Sequence, residues 1–102
     1  MAKDRLSLHN RLVQILGSSN VYFQPPASML LKYPCIIYKL DDVEKFYAND
    51  RRYLGTKMYL ITIVDKNPDS SIPDKILDLP YSSFEDYMTI DNLNHFICSL
   101  HW

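Results

Sequence analysis

Between residues 4 and 16, Leu8, Leu12, Ile15 and Leu16 recur at i, i+4, i+7 and i+8, while Arg5, His9, Arg11 and Gln14 fall mainly on the other side. That spacing predicts an amphipathic helix, closed by Gly17 as the residue just past its last turn. The period then changes. VYF at 21–23 reads as a short strand, cut off by Pro25-Pro26, a pair that cannot lie in a central strand. KYPCIIYKL follows, with Pro34 opening a strand from about Cys35 to Leu40. It is apolar on both faces, which suits a central strand or one covered by a helix and a partner. TKMYLITIV, 56–64, is the longest β-type run, rich in branched and aromatic residues. Between these two, DDVEKFYANDRRYLG (41–55) is charged and without a clean period. It reads as a long hairpin arm or loop. Its Val43, Phe46 and Tyr47 are the large apolar residues this reading leaves most exposed, and exposed apolar groups often mark a contact.

The stretch DKNPDSSIPDKI, 65–76, is dense in punctuation. Asn67-Pro68-Asp69-Ser70 is turn chemistry: proline presets φ, and Asn, Asp and Ser bond their neighbouring backbone. Ser71 is placed as an N-cap, with Asp74 three residues on completing a short-armed capping box. Pro73 falls inside the first turn, where its missing N–H costs nothing. Ile72, Ile76 and Leu79 share a helical face and Pro80 ends the helix, giving a short helix over 72–79. A strand from Ser83 to Tyr87, a turn from Thr89 to Leu93 and a last strand from Asn94 to Trp102 complete the chain. In that last strand Phe96, Cys98, Leu100 and Trp102 form the more apolar face and are expected to meet the core. The order α-β-β-β-α-β-β predicts an α+β fold in one domain, 1–102. Its sheet is mainly antiparallel with four to five strands, and the N-terminal helix and short crossover helix pack on one face.

Composition narrows the functional classes. Eleven basic and twelve acidic residues leave a net charge of −1, so there is no overall electrostatic footprint for nucleic acid or for a membrane surface. No apolar run reaches the roughly 18 residues of a membrane span, and MAKDRLSLHN lacks the apolar core of a signal peptide. Cys35 and Cys98 lie in strand-like runs and are expected to be reduced, buried thiols in a cytosolic setting. A charge near zero favours association. Eight tyrosines against one tryptophan and two glycines suit protein interfaces as well as half-exposed strands.

Candidate chemistry fails on spacing. Asp65, Asn67 and Asp69 offer oxygens at alternate positions, as a calcium loop does. Such a loop also needs a glycine at its sixth position and a bidentate glutamate at its twelfth. Here those are Ser70 and Ile76. His95 and His101 share one strand face while Cys98 points to the other, about 20 Å separates the histidines at ~3.3 Å per residue, and no fourth clustered ligand completes a zinc site. Cys35, between Pro34 and Ile36, lacks the exposed, low-pKa setting of a nucleophile. With only Gly17 and Gly55, no phosphate-cradling loop can be drawn. No nucleophile, base and orienting group can be assembled, so the chain is expected not to be an enzyme and to hold no cofactor or metal.

LGSSNVYFQPP, KYPCIIY, IVDKNPDSSIPDKILDLPYSSF and DNLNHFICSL, taken as an ordered set from about residue 5 to residue 102, resemble the tail-completion (tail-terminator) proteins of long-tailed bacteriophages, a group of minor structural or neck proteins. The resemblance implies a sheet with two flanking helices. It further implies a virion protein at the head–tail junction, assembled in the host cytoplasm, that forms a ring, commonly of six subunits, capping the tail tube and meeting the head connector. It brings no catalytic residues. The partners it implies are other copies of the chain, the tail tube protein and the head connector or neck protein, with no sequence-specific nucleic acid and no membrane. A ring needs two different patches that repeat with closure. The sheet edges supply one, and Phe46, Tyr47 and Tyr53 on the arm, with Asn67 and Asp69 in the polar loop, are the candidate contacts to a neighbouring subunit or the tube. The competing expectations are a small cytosolic adaptor or inhibitor domain that binds one partner through the same edges, and another phage neck or baseplate structural protein.

Overall fold

The computed structural model describes the backbone of residues 4–48 and 51–102, and the side chains of these outside 42–56. Helix α1, Arg5–Leu16, starts where Asp4 adopts an extended conformation and its Oδ1 accepts the Ser7 amide at 2.7 Å. This is the capping bond that satisfies one otherwise orphaned N–H of the first turn. It stops at Gly17, whose φ of 80° is left-handed and whose N–H reaches the Val13 carbonyl at 2.9 Å. Strand β1 (Val21–Phe23) is followed by β2 (Cys35–Ala48) and β3 (Arg51–Asp65). Helix α2 (Ile72–Leu77), β4 (Ser82–Ile90) and β5 (Leu93–His101) complete the order.

The five strands form one sheet in the order β1-β2-β3-β5-β4. All pairs are antiparallel except β1 with β2, which run parallel. The sheet is therefore mixed, and the α+β architecture of the sequence reading holds. Cross-strand partners share a face, so the register sorts the side chains. Ile36 faces Ile63, Tyr38 faces Ile61 and Ile61 faces Cys98, while Leu100 lies opposite Tyr59. On this face Leu8 and Leu12 of α1 and Ile72 and Ile76 of α2 close the core, with Leu100, Cys98, Ile61 and Ile63 entirely buried. The even face of β5 meets the core, as the alternation predicts. Cys35 and Ile36 are adjacent and both fully buried, which bears out the reading of this run as apolar on two faces.

The hairpin alternative for 41–55 holds, while several local expectations change: α2 ends at Leu77 rather than 79, and the strand expected at 83–87 spans Ser82–Ile90. The strands expected at 35–40 and 56–64 run on through the charged segment to Ala48 and back from Arg51, so 41–55 is a hairpin arm, with residues 49 and 50 outside the described residues. Ser71 stands at the N-cap position as expected, but it is itself helical in φ and ψ and makes no side-chain cap. The Ser70 hydroxyl accepts the Ile72 amide at 3.3 Å instead, so the capping box with Asp74 does not form. The last hairpin turns tighter than 89–93. Ile90 and Leu93 are register partners, joined by Asp91 and Asn92 at φ 52° and 64°, the two left-handed residues of a type I′ turn that matches strand twist.

Candidate interface

The polar loop after β3 is built from its own side chains. Asp65 Oδ1 accepts the Asn67 amide and Asn67 Oδ1 accepts the Asp69 amide, both at 3.0 Å. These are two consecutive Asx turns, the local bonding that such residues favour. The oxygens that imitate a calcium loop are thus engaged by the backbone. Among the described residues no group of three or more His, Cys, Asp or Glu is placed to hold a metal ion. Asn67 and Asp69 are exposed on the loop.

Asn94 fixes that loop to the sheet, and no sequence pattern singles it out. It is buried, its Nδ2 donates to the carbonyls of Asp65 and Lys66 at 3.1 and 3.2 Å, and its Oδ1 accepts the Tyr87 hydroxyl at 2.7 Å. A second polar hub lies under α1. The Tyr38 hydroxyl, on a fully buried ring, accepts from Arg5 Nη1 at 3.1 Å and is bonded to His9 Nδ1 at 2.8 Å. Arg5 also lies 4.3 Å from the centre of the Phe23 ring, a cation–π contact. Arg5 and His9 therefore tie α1 to the sheet and are not simply its solvent side.

The arm is a two-stranded ribbon. Strand β1 pairs with β2 only at Ile36 to Tyr38, and β5 pairs with β3 only from Met58 onward. Beyond Val43 and Lys57 the two strands pair with each other alone, with Phe46 opposite Tyr53 and Tyr47 opposite Arg52. The side chains of Phe46, Tyr47 and Tyr53 lie outside the described residues. Tyr53 and Asp65 are twelve residues apart on β3, roughly 40 Å at strand rise. The five candidate contacts thus belong to two separate regions, the arm and the opposite end of β3.

A further open surface appears at β4. This edge strand is exposed along most of its length, including Phe84, Tyr87 and Ile90, and Tyr81 just before it is 78% exposed. Its pairing slips between Phe84 and Asp86. At that bulge the Glu85 carboxylate accepts from Ser83 and Ser99 at 3.1 and 2.8 Å. The only sequence signal for this edge is charge: all eleven Lys and Arg occur by position 75, whereas Asp78, Glu85, Asp86 and Asp91 follow. On the sheet face away from the helices, Pro25, Pro26 and Met29 of the β1–β2 connection overhang Ile37, Leu60 and Thr62 and leave an open cleft of about 490 Å³.

Both cysteines are free and buried, and burial pushes each thiol up to about 11. They are core residues with no thiolate to offer at neutral pH. No helix among the described residues is long and apolar enough to cross a membrane. No family model, curated protein or solved structure matches this chain.

Proposed function

We propose that this chain is a virion structural protein that caps a phage tail tube as a ring and joins it to the head connector, the role implied by the resemblance of its ordered motifs. The observation that carries the reading is the ribbon formed by the far ends of β2 and β3. A two-stranded hairpin without further strands is marginal in water. A chain that extends one beyond its sheet has surface that a neighbour can complete. The long axis of 52 Å against 26 and 23 Å, and a radius of gyration of 14.7 Å where a compact chain of this length has about 13 Å, follow from that extension. The near-zero net charge and the open β4 edge also suit assembly.

In this role the protein performs no chemistry. It recognises two different surfaces, one on the next copy and one on the tube, and stops tube growth by covering its last ring. Immunogold labelling of intact particles with antibody to this chain tests the assignment. Label confined to the head–tail junction is the expected result. Particles without the chain, or label at the baseplate, overturn it, and complete absence moves a cytosolic adaptor to the front.

A further inference from the structure

Besides the β2 side of the ribbon, from Asp41 to Ala48, whose sequence is acidic like β4 (Asp41, Asp42 and Glu44 against Lys45), the sheet and its arm leave two long backbone edges without a strand partner among the described residues. One is the outer edge of β4, Ser82–Ile90, the last strand in the sheet order. The other is the β3 side of the ribbon, from Arg51 to Thr56. Pairing with β5 starts only at Met58, and Lys57 exchanges backbone bonds with Trp102 at 2.9 and 3.2 Å. Open edges of this kind are templates for strand addition.

Their charges are opposite. RRYLGT, 51–56, carries two arginines and no acid, whereas SSFEDYMTID, 82–91, carries Glu85, Asp86 and Asp91 and no cation. Two β4 edges brought together would oppose acids to acids, which is destabilising across a strand pair. A symmetric β4–β4 dimer is thereby disfavoured. The β3 edge of the ribbon presents the complementary sign at a comparable length, six residues against nine. The two edges are also different surfaces of one chain, the requirement for a head-to-tail contact that can close into a ring.

We propose that the β3 edge of the ribbon, 51–56, of one copy adds as a strand to the β4 edge of the next, so that the acidic strand is the acceptor and the ribbon the donor in the subunit contact. This rests on the ring reading above and specifies which surfaces meet. Phe84, Tyr87 and Ile90, exposed on β4, become covered in that contact. β4 carries neither lysine nor proline; what guards it against self-pairing is its acids and the bulge between Phe84 and Asp86, and a basic donor strand answers those acids.

A charge exchange tests it by sedimentation velocity. Asp86→Arg and Arg52→Asp are made separately, each checked for a native circular dichroism spectrum and melt. The unaltered chain is expected to sediment as a closed oligomer, and each variant alone as the 12.0 kDa monomer. An equal mixture of the two variants should regain the oligomer, because each then offers the other an edge of opposite sign. Folded single variants that still sediment as the wild-type oligomer overturn the edge pairing and leave the ring reading standing. A monomeric wild type overturns the pairing, and immunogold label at the junction then separates that failure from failure of the assignment. Monomeric single variants that stay monomeric when mixed also overturn it, since restoration by opposite charge is what distinguishes this contact from general damage.

Discussion

At the scale of single residues, the polar groups that fix the fold are few and fully engaged. Asn94 uses its amide on both sides, bonding two carbonyls of the 65–67 loop and the Tyr87 hydroxyl. Removing one partner from a buried bond exposes the desolvation cost of the groups left behind. Asn94→Ala should therefore destabilise by about 2–3 kcal/mol, and Tyr87→Phe by about 1 kcal/mol or less, since that hydroxyl reaches a half-exposed site. Urea melts of the two variants measure the difference, and equal losses contradict this account of the loop. The cysteines set a pH dependence. The ordinary thiol value of 9.0 is raised to about 11 in the fold by burial, with Glu85 adding to the rise at Cys98. The unfolded chain thus loses these protons first, so the contribution is complete below pH 9 and is lost as pH climbs toward 11. Each thiol steepens the fall by at most about 1.4 kcal/mol per pH unit. Denaturant melts at several alkaline pH values should show a flatter decline for Cys35→Ala/Cys98→Ala than for the unaltered chain.

At the scale of elements, the periodic segments were legible and the tertiary partners were not. The spacing of Leu8 and Leu12 gives α1, and Gly17 ends it with a left-handed φ. A Cβ added at Gly17 meets nothing within 4 Å, so Gly17→Ala tests conformation alone. It should cost about 1 kcal/mol of stability, with Gly17→Asn recovering part of it because asparagine tolerates that region. An unchanged melting temperature in Gly17→Ala contradicts this reading of the helix end. The α2 capping box failed because Ser71 joined the helical turn and Ser70 took the bonding role one residue earlier, a shift that residue type cannot decide. The arm was harder to read for another reason. No clean alternation marks its sequence, and only the register shows that 41–48 and 51–57 continue as paired strands. Phe46, Tyr47 and Tyr53 fell on the arm and Asn67 and Asp69 on the distant loop. The β4 edge, whose exposed aromatics alternate unevenly across a bulge, gave no pattern beyond its missing cations.

At the scale of the whole molecule, the core and the proposed assembly surfaces are separate. Every residue of the core cluster lies in α1, the base of the sheet or the region of α2, whereas the ribbon begins beyond Val43 and Lys57. Replacing 44–56 by a short turn should therefore leave a cooperative fold with a melting temperature near that of the full chain, while removing the surface proposed to meet a neighbour. Loss of cooperative unfolding in that variant would place the ribbon within the folding unit and contradict the separation. The most direct measurement is electron microscopy of lysates from a phage whose copy of this gene carries an early stop codon, complemented with either the full chain or the ribbon-deleted one. The account predicts DNA-filled heads beside unjoined or overlong tails without complementation. The full chain should restore joined particles and the ribbon-deleted chain should not. Normal infectious particles from the stop-codon phage alone would contradict it.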